Sequence, residues 1–395
     1  MDYKLLFEVS VYRKDRISSD MVDKENYIST ENMLPNRGGV EIATTVASAK
    51  TFPAYKKGDI LLSNIRPYFK KIWYADKEGG CSNDVLVVKG NKTVDNKFLY
   101  YVLSDNNFFN YSTVTSKGTK MPRGSKNAIM KYWVPDLDLP TQRKIADILS
   151  SYDELIKANN ERIELLEQVA QELYREWFVR FRFPGHENTK FEDGIPEGWE
   201  IKRIMDLFDI TSSKRVYLAD YVDAGIPFYR SKEIIQLSQG QAITDPLYIS
   251  NAAYENFKSK YGTPEKNDIL ITSVGTIGVS YLVDGHEFYF KDGNLTWIKS
   301  GSNRAQSLFL FQWLNSRSGK QQLLQSTIGT SQSALTIENL KKIKLIVPTN
   351  ALIEDYYQRA HVILEQKSVL QIKNRNLAAQ RDMLLPRLMS GKLEV

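Results

Sequence analysis

The sequence predicts an α+β fold with two tandemly duplicated β-rich domains, separated by two long helices that form an antiparallel coiled coil. Short motifs recur in the same order in the two halves of the chain. Within each half, short runs of β-branched and aromatic residues end at Gly, Asn, Asp or Lys, which is typical of strands. Two long stretches repeat apolar residues at spacings of four and three, which is typical of coiled-coil helices.

The duplication is visible in motifs that keep their order along the chain. LFEV from Leu6 matches LFDI from Leu207, GDILLSNIR from Gly58 matches NDILITSVG from Asn267, and FLYYVL matches FLFQWL. The offset between the copies grows slowly, as insertions in loops would make it. We therefore predict a first domain over 1–138, a central helix over 139–183, a second domain over 184–348 and a distal helix over 349–395.

The strands of each copy are predicted from matching runs. The first copy has DILLSNI, KIWYA and DVLVVK, and the second has DILITSV, SYLV and LTWIK. Each copy then continues with a helical FLxxxL segment, a Gly-Thr loop and a last strand that ends at Val-Pro. The pattern predicts a β-rich core closed by one helix in each domain.

The two long helices are predicted from their seams. Thr141 is the expected N-cap of the first, and Phe183–Gly185 is a stop signal. The first seam is Ile145, Leu149, Tyr152, Ile156, Asn159, Ile163, Leu166, Ala170, Leu173 and Trp177, and the second is Ile353, Tyr356, Ala360, Ile363, Lys367, Leu370, Asn374, Leu377, Arg381, Leu384 and Leu388. The central asparagines favour pairing of the two helices with each other.

Two features of the seams leave the pairing open. Lys367 and Arg381 would have to extend outward along their aliphatic stems. The alternative is that each helix packs only on its neighbouring globular domain, as amphipathic helices commonly do.

Composition narrows the class of protein. The formal net charge of +6 permits a nucleic-acid partner without requiring one. The single cysteine excludes a disulfide framework and a cysteine metal cage, and the three histidines lack metal-ligand spacing. Neither a signal peptide nor a transmembrane run is present in the sequence, so a cytoplasmic protein without a membrane partner is expected.

Motifs for catalysis are absent from the sequence. It contains no phosphate-binding G-x-x-x-x-G-K-[ST], no G-x-G-x-x-G after a strand, no H-E-x-x-H and no G-x-S-x-G. An Asn/Asp-Pro-Pro-aromatic motif, expected of an adenine methyltransferase, is also missing. Binding is therefore favoured over catalysis, and a nuclease built from scattered acidic residues stays open as an alternative.

The candidate binding residues lie in loops and are chosen for contacts to DNA. Cations suit phosphates, Arg also suits guanine edges, and hydroxyls and glycines allow close backbone approach. The alternative for each lysine is a solvated surface position. The candidates are Arg66, Lys70, Lys71, Lys117, Lys120, Arg123 and Lys126 in the first copy, and Lys214, Arg215, Arg230, Lys232, Ser273, Thr276, Thr330, Ser331 and Gln332 in the second.

Four stretches carry a family resemblance. They are LPTQRKIADILSSYD from Leu139, LEQVAQELYREWFV from Leu166, IPEGW from Ile195 and LLPRLMSGKL from Leu384. Together with the two-copy organisation over the whole chain, they resemble the specificity subunit of type I restriction-modification enzymes. The resemblance implies two target-recognition domains, each reading one half of a split, asymmetric site in double-stranded DNA.

The resemblance also implies partners. The helices would set the gap between half-sites and dock two methyltransferase subunits, and restriction/translocase subunits would join the complex. S-adenosylmethionine, ATP and Mg²⁺ would belong to those partners, leaving this subunit non-catalytic and without a cofactor. The implied docking residues are Leu173, Tyr174, Trp177, Phe178, Leu384, Leu385 and Leu388. The alternative function is a tandem-domain coiled-coil scaffold for protein partners.

Overall fold

The computed structural model describes residues 2–243, 245–329, 333–390 and 392–393. The chain forms two compact units. The first unit contains the residues up to Ile156 and those from Leu377 onward, and the second is Lys157–Asn376. Each unit therefore includes one β-rich domain together with parts of both long helices.

Within residues 2–138, the first domain contains ten strands and four short α-helices. The strands are β1 Tyr3–Leu5, β2 Ser10–Tyr12, β3 Arg16–Ser18, β4 Tyr27–Ile28, β5 Thr51–Tyr55, β6 Ile60–Ser63, β7 Ile72–Tyr74, β8 Gly79–Cys81, β9 Val85–Gly90 and β10 Trp133–Pro135. The helices are α1 Leu6–Val9, α2 Asn96–Ser104, α3 Asn106–Val114 and α4 Lys126–Ile129. The strands predicted from DILLSNI, KIWYA and DVLVVK are thus present as β6, β7 and β9.

The main sheet of the first domain has the order β2-β9-β6-β7 and is antiparallel throughout. Ile60 and Leu62 of β6 pack with Phe98 of α2, whereas Leu61 packs in a separate cluster with Trp73. Both faces of the sheet are thus covered, which is why β6 reads as a continuous apolar run rather than an alternating one. A second sheet, β3-β5-β8-β4, and the pair β1-β10 complete the domain.

The central helix, α5, runs over Leu139–Phe178. Its first turn is capped by Asp138, whose Oδ1 accepts the backbone N–H of Thr141 at 2.9 Å. The prediction of Thr141 as the N-cap was therefore wrong. Pro140 is tolerated in the first turn because no intrahelical donor is needed there.

The second domain and the distal helix follow α5. The strands are β11 Phe191–Glu192, β12 Ile195–Pro196, β13 Glu200–Arg203, β14 Asp209–Thr211, β15 Tyr221–Val222, β16 Ile226–Tyr229, β17 Leu247–Ile249, β18 Ile269–Thr272, β19 Ser280–Leu282, β20 Tyr289–Phe290, β21 Leu295–Lys299 and β22 Lys344–Val347. The helices are α6 Ser231–Ser238, α7 Asn251–Tyr261, α8 Arg304–Asn315, α9 Arg317–Gln325, α10 Ile337–Lys342 and the distal helix α11 Asn350–Met389.

The main sheet of the second domain, β14-β21-β18-β19, repeats the order found in the first. Ile269 and Ile271 face the cluster that contains Phe309, and Leu270 faces the cluster that contains Phe288. The same two-sided burial is thus built from equivalent positions of the repeat. The duplication predicted from the sequence is confirmed as a structural repeat.

Within the second unit, α5 and α11 pair through polar seam residues. The side-chain amide of Asn159 donates to Asn374 Oδ1 at 2.7 Å, and Lys367 Nζ lies 2.6 Å from Glu167. Residue numbers fall along α11 as they rise along α5, so the two helices are antiparallel in this unit. The Lys367 side chain is only 18% exposed, which corrects the expectation that it extends outward.

Within the first unit, the same two helices meet the domain core. Arg381 forms an ion pair with Asp153, and its side chain is also only 18% exposed. Leu385 and Leu388 are buried in one cluster with Ile145 and Leu149. Charged seam residues are therefore accommodated by opposite charges, and the apolar seam residues at this end of the helices belong to the domain core.

Candidate nucleic-acid interface

Two loops predicted separately from the sequence meet in the first domain. The backbone N–H of Arg66 donates to Pro122 O at 2.8 Å, and Ile65 forms a bridge with Arg123. Lys117 and Arg123 exchange a pair of backbone hydrogen bonds, each 2.8 Å long. The 116–126 loop is thereby folded onto the end of β6. We call residues 64–71 and 116–126 together the first loop pair.

Positive charge is exposed on the first loop pair. Lys117, Lys120, Arg123 and Lys126 all have exposed side chains. Arg123 also lies 3.1 Å from Asp84, an acidic neighbour that no local sequence pattern pointed to. The four cations occupy one short loop, which is the arrangement that can neutralise several neighbouring phosphates.

The turn of the first loop pair has an unusual backbone. It contains a 3₁₀ turn at Pro67–Phe69, flanked by Arg66 with φ of 49° and Lys70 with φ of 53°. The Arg66 guanidinium lies 5.9 Å from the ring centroid of Phe69, and its buried Nε has no acceptor among the described residues. Tyr68 and Phe69 are exposed. The turn therefore presents two aromatic rings at the surface beside a half-buried arginine.

The two lysines of the turn are half-buried. Lys70 Nζ donates to Asn106 Oδ1 at 2.8 Å, and Lys71 Nζ donates to Thr30 O at 2.7 Å. Burial lowers the pKa of both amines. Each ammonium thus has a protein acceptor and further donors, and its contact with phosphates stays a prediction.

The second domain brings together the equivalent loops. Val274 and Ile328 each form a bridge with Ala334, and the backbone N–H of Leu335 donates to Ser273 O at 2.9 Å. We call residues 273–278 and 327–335 the second loop pair. Thr276 is exposed there, whereas Ser273 is buried with its Oγ 2.7 Å from Thr296 Oγ1, so the prediction for Ser273 was wrong. Thr330, Ser331 and Gln332 lie outside the described residues.

The predicted cations of the second domain differ in their partners. Arg230 makes two hydrogen bonds, of 2.6 Å and 3.1 Å, to the fully buried Glu233, and this contact raises the pKa of Arg230. Arg215 pairs with Asp292 at 3.3 Å, and Lys214 Nζ lies 5.1 Å from the ring centroid of Tyr261. Lys232 is exposed. The Arg230 side chain is itself 38% exposed, so it lies at the surface while it pairs with Glu233, and its contact with DNA stays a prediction.

The implied docking residues lie mainly in domain cores. Tyr174, Trp177 and Phe178 are buried around Tyr356, with ring centroids 4.8–6.4 Å from its ring. Leu385 and Leu388 are buried in the first unit, while Leu173 and Leu384 are half-buried against the same kinds of cluster. The prediction of a docking surface at the five buried residues is wrong, since their side chains are covered by this chain's own core.

Neither a metal-binding cluster nor a membrane-spanning helix occurs among the described residues. Within the described ranges, no group of three or more His, Cys, Asp or Glu side chains is placed to hold a metal ion. In the same ranges, no helix is both long enough and apolar enough to cross a membrane.

Comparisons with known proteins agree with the two-domain organisation. The family model of the type I restriction modification DNA specificity domain matches residues 8–168 and 196–362. The chain is 26% identical to the MjaIX specificity subunit of Methanocaldococcus jannaschii, covering 91% of this chain and 82% of that protein. It is 23% identical to the HindI specificity subunit of Haemophilus influenzae, covering 93% and 94% respectively.

The fold is also found in a solved structure. The crystal structure of the type I restriction-modification system S subunit from M. genitalium superposes with a TM-score of 0.58 at 16% identity, covering 98% of this chain and 96% of that one. Because the family model matches each domain copy separately, its two matches span both loop pairs. We conclude that this chain belongs to the family of type I restriction-modification DNA specificity subunits.

Proposed function

We propose that the chain reads a bipartite, asymmetric site in double-stranded DNA, with one half-site bound by each loop pair. The observation that carries this proposal is the repeated joining of the same two loops, by the Ile65–Arg123 bridge in the first domain and the Val274–Ala334 bridge in the second. One scaffold carries different side chains at this edge in its two copies. Two different half-sites are the expected consequence.

The chemistry of the first loop pair suits a duplex. Lys117, Lys120 and Lys126 would neutralise phosphates, and the released counterions would favour binding. Arg66 has the fork of donors that matches the O6 and N7 atoms of guanine in the major groove. Its position over the Phe69 ring limits the conformations of the guanidinium, so less entropy is lost when it binds.

The long helices are proposed to set the gap between the half-sites. α5 and α11 each contain 40 residues, about 60 Å at about 1.5 Å per residue. Deleting one heptad from each helix would shorten the pair by about 10 Å, or about three base pairs of duplex. The preferred gap in the recognised sequence should shrink accordingly, and an unchanged gap would refute this role.

Partner subunits are proposed to carry the chemistry. Two methyltransferase subunits and the restriction/translocase subunits would assemble on this chain, and S-adenosylmethionine, ATP and Mg²⁺ would bind to them. The buried aromatic residues are unavailable for docking, whereas apolar side chains on the outer faces of the helices are exposed, with Leu165 at 60% and Val369 at 62%. Val169 and Ile372 are also exposed. We propose these four side chains as the methyltransferase-docking surface.

The docking surface is tested by co-purification. Leu165→Glu combined with Val369→Glu should abolish retention of the methyltransferase subunit without changing the thermal unfolding of the chain. The matched control is Glu161→Lys combined with Glu365→Lys, which changes exposed charges on the same helices. Full retention by the Leu165 and Val369 variant would show that docking occurs elsewhere.

Recognition is tested by selection from a pool of random duplexes. The full-length chain, bound to its methyltransferase subunit, is incubated with duplexes that have a randomised core, and the bound fraction is sequenced. Two short enriched motifs separated by a fixed unread gap are expected. Salt-insensitive binding without enrichment would favour the scaffold function, because binding to phosphates depends steeply on salt.

A further inference from the structure

The 66–71 turn is held by a second turn that the sequence did not bring to attention. The backbone N–H groups of Asn36 and Arg37 donate to Phe69 O at 2.8 Å and to Lys70 O at 2.9 Å. The two segments are about thirty residues apart in the chain. The backbone carbonyl groups of Phe69 and Lys70 are therefore hydrogen-bonded to a neighbouring segment and not within the 66–71 turn itself.

Both turns contain strained backbone. Asn36, Arg37, Arg66 and Lys70 have φ values of 55°, 61°, 49° and 53°. Residues that have a Cβ rarely adopt this left-handed backbone conformation, and it persists only where surrounding contacts fix it. Here the strained residues lie on both sides of the hydrogen bonds between the turns.

The side chain of Arg37 is the centre of these contacts. It is 11% exposed, and its Nε donates to Ser104 O at 2.6 Å. One terminal nitrogen donates to Asn106 Oδ1 at 2.8 Å, the same oxygen that accepts Lys70 Nζ. The other terminal nitrogen lies 3.1 Å from Asp382 Oδ2, on α11.

The chain of contacts continues into both long helices within the first unit. Arg381 donates to Asp382 Oδ1 at 2.8 Å and also pairs with Asp153 of α5. Tyr101 donates its hydroxyl to the other oxygen of Asp153 at 2.6 Å. Charges of opposite sign thus alternate from Asp153 of α5 through Arg381 and Asp382 of α11 to Arg37, by charge-assisted hydrogen bonds. The neutral amide oxygen of Asn106 then joins Arg37 to Lys70 of the turn.

We propose that Arg37 is a positioning residue for DNA recognition by the first domain, and that Asp382 of the distal helix holds Arg37 in place. Arg37 fixes the backbone of the 66–71 turn, which orients Arg66 and Phe69 toward the duplex. This inference rests on the proposed function, since it assumes that the first loop pair reads DNA. It adds a residue of the distal helix to the determinants of one half-site.

The test is the random-duplex selection carried out with variants of the full-length chain and its methyltransferase subunit. Asp382→Asn keeps the shape of the side chain and removes its charge. Arg37→Lys keeps the charge and removes the fork of donors. Asp355→Asn is the matched control, because it breaks an exposed ion pair with Arg359 on the same helix.

The expected result is specific to one half-site. Enrichment of the half-site read by the first domain should fall by about tenfold in Asp382→Asn and Arg37→Lys, because contacts to charged groups are lost. Enrichment of the other half-site should not change, Asp382→Glu should restore the first, and Asp355→Asn should match the wild type. A merely structural role would lower enrichment of the first half-site together with the melting temperature, whereas loss of positioning should leave the melting temperature unchanged.

Three outcomes would overturn the inference. Unchanged enrichment of both half-sites in Asp382→Asn and Arg37→Lys would show that Arg37 does not position the turn. A loss at the first half-site that is accompanied by a lower melting temperature would show that Arg37 and Asp382 support the fold of the first domain and do not position the turn. A wild-type chain that enriches no sequence would instead refute the proposed function, and the inference would fall with it.

Discussion

The two domains share a backbone at their loop pairs but differ in the side chains placed there. Arg66 of the first domain and Gly275 of the second are equivalent in the repeat, and both are left-handed, with φ of 49° and 77°. The first domain thus places an arginine where glycine is the unstrained choice. A strained, half-buried arginine whose Nε has no acceptor among the described residues is better explained by binding than by stability.

The two loop pairs also differ in charge. Four exposed cations lie in 116–126 of the first domain, whereas the equivalent segment of the second carries hydroxyl and amide side chains. The main sheets have the same order in both copies, and both faces of each sheet must stay covered by apolar residues. The loops are free of that requirement, so recognition can diverge while the core does not.

The largest expected effect is a loss of stability when the central helix loses a side chain that it buries in the core of either unit. Phe178→Ala should lower the free energy of unfolding by about 3–5 kcal/mol and Leu149→Ala by about 2–5 kcal/mol, because both side chains lie in cores. The measurement is denaturant unfolding followed by circular dichroism. Leu165→Ala, at an exposed position of the same helix, should change stability by less than about 0.5 kcal/mol. A stable Phe178→Ala chain that fails to bind methyltransferase would restore the original docking prediction.

The next prediction tests the difference in charge between the two loop pairs. Replacing Lys117, Lys120, Arg123 and Lys126 together by Gln should weaken DNA binding by on the order of a hundredfold. The slope of log K against log[salt] should become less steep by about 3–4. Binding titrations at several salt concentrations measure both quantities. Thr276→Ala in the second loop pair is the control and should leave the salt dependence unchanged. Equal salt dependence in the quadruple variant and the wild type would mean that these cations do not meet phosphates.

Arg66→Gly makes the first domain resemble the second at one position. Discrimination at one base pair should fall by about 1–3 kcal/mol. The free energy of unfolding should stay the same or rise by up to about 1 kcal/mol, since glycine removes the strain at this φ. Competition binding with single-base variants and denaturant unfolding give the two values. Retained discrimination together with lost stability would indicate that Arg66 is structural.

The smallest effect concerns the polar contact between the helices of the second unit. Replacing Asn159 and Asn374 together by Leu should raise the free energy of unfolding by about 1 kcal/mol, because a buried polar contact in a coiled-coil seam costs stability while fixing register. Denaturant unfolding measures the change. A loss of several kcal/mol would show that the amide pair is stabilising in itself.

Local patterns in the sequence predicted the repeat, both long helices and three strands of each main sheet, but not the edge strands β2 and β14. Ile60, Leu61 and Leu62 indicate a strand because a short run of consecutive apolar residues is typical of a strand that is buried on both faces. The joining of the two loops in each domain was not predicted, although the loops themselves were. Contacts such as Arg66 with Pro122 depend on the fold as a whole.

Two of the wrong predictions share one cause. Trp177 and Ser273 were chosen for their chemistry, and the structure pairs their side chains with residues far away in the chain, Tyr356 and Thr296. Arg37 was missed for the same reason, since its partners come from α2, α3 and α11. Residue type alone does not separate a surface group from one that is already paired.

The most direct test of independent reading by the two domains is a single-molecule methylome of the host. Cells with the wild-type gene, with the Arg66→Gly variant, and without the gene would be compared. The wild-type gene should give one adenine-methylation motif split by a fixed gap, absent without the gene. The variant should lose base preference in one half of that motif and keep the other half. Loss of preference in both halves, or a motif that is not split, would contradict the account.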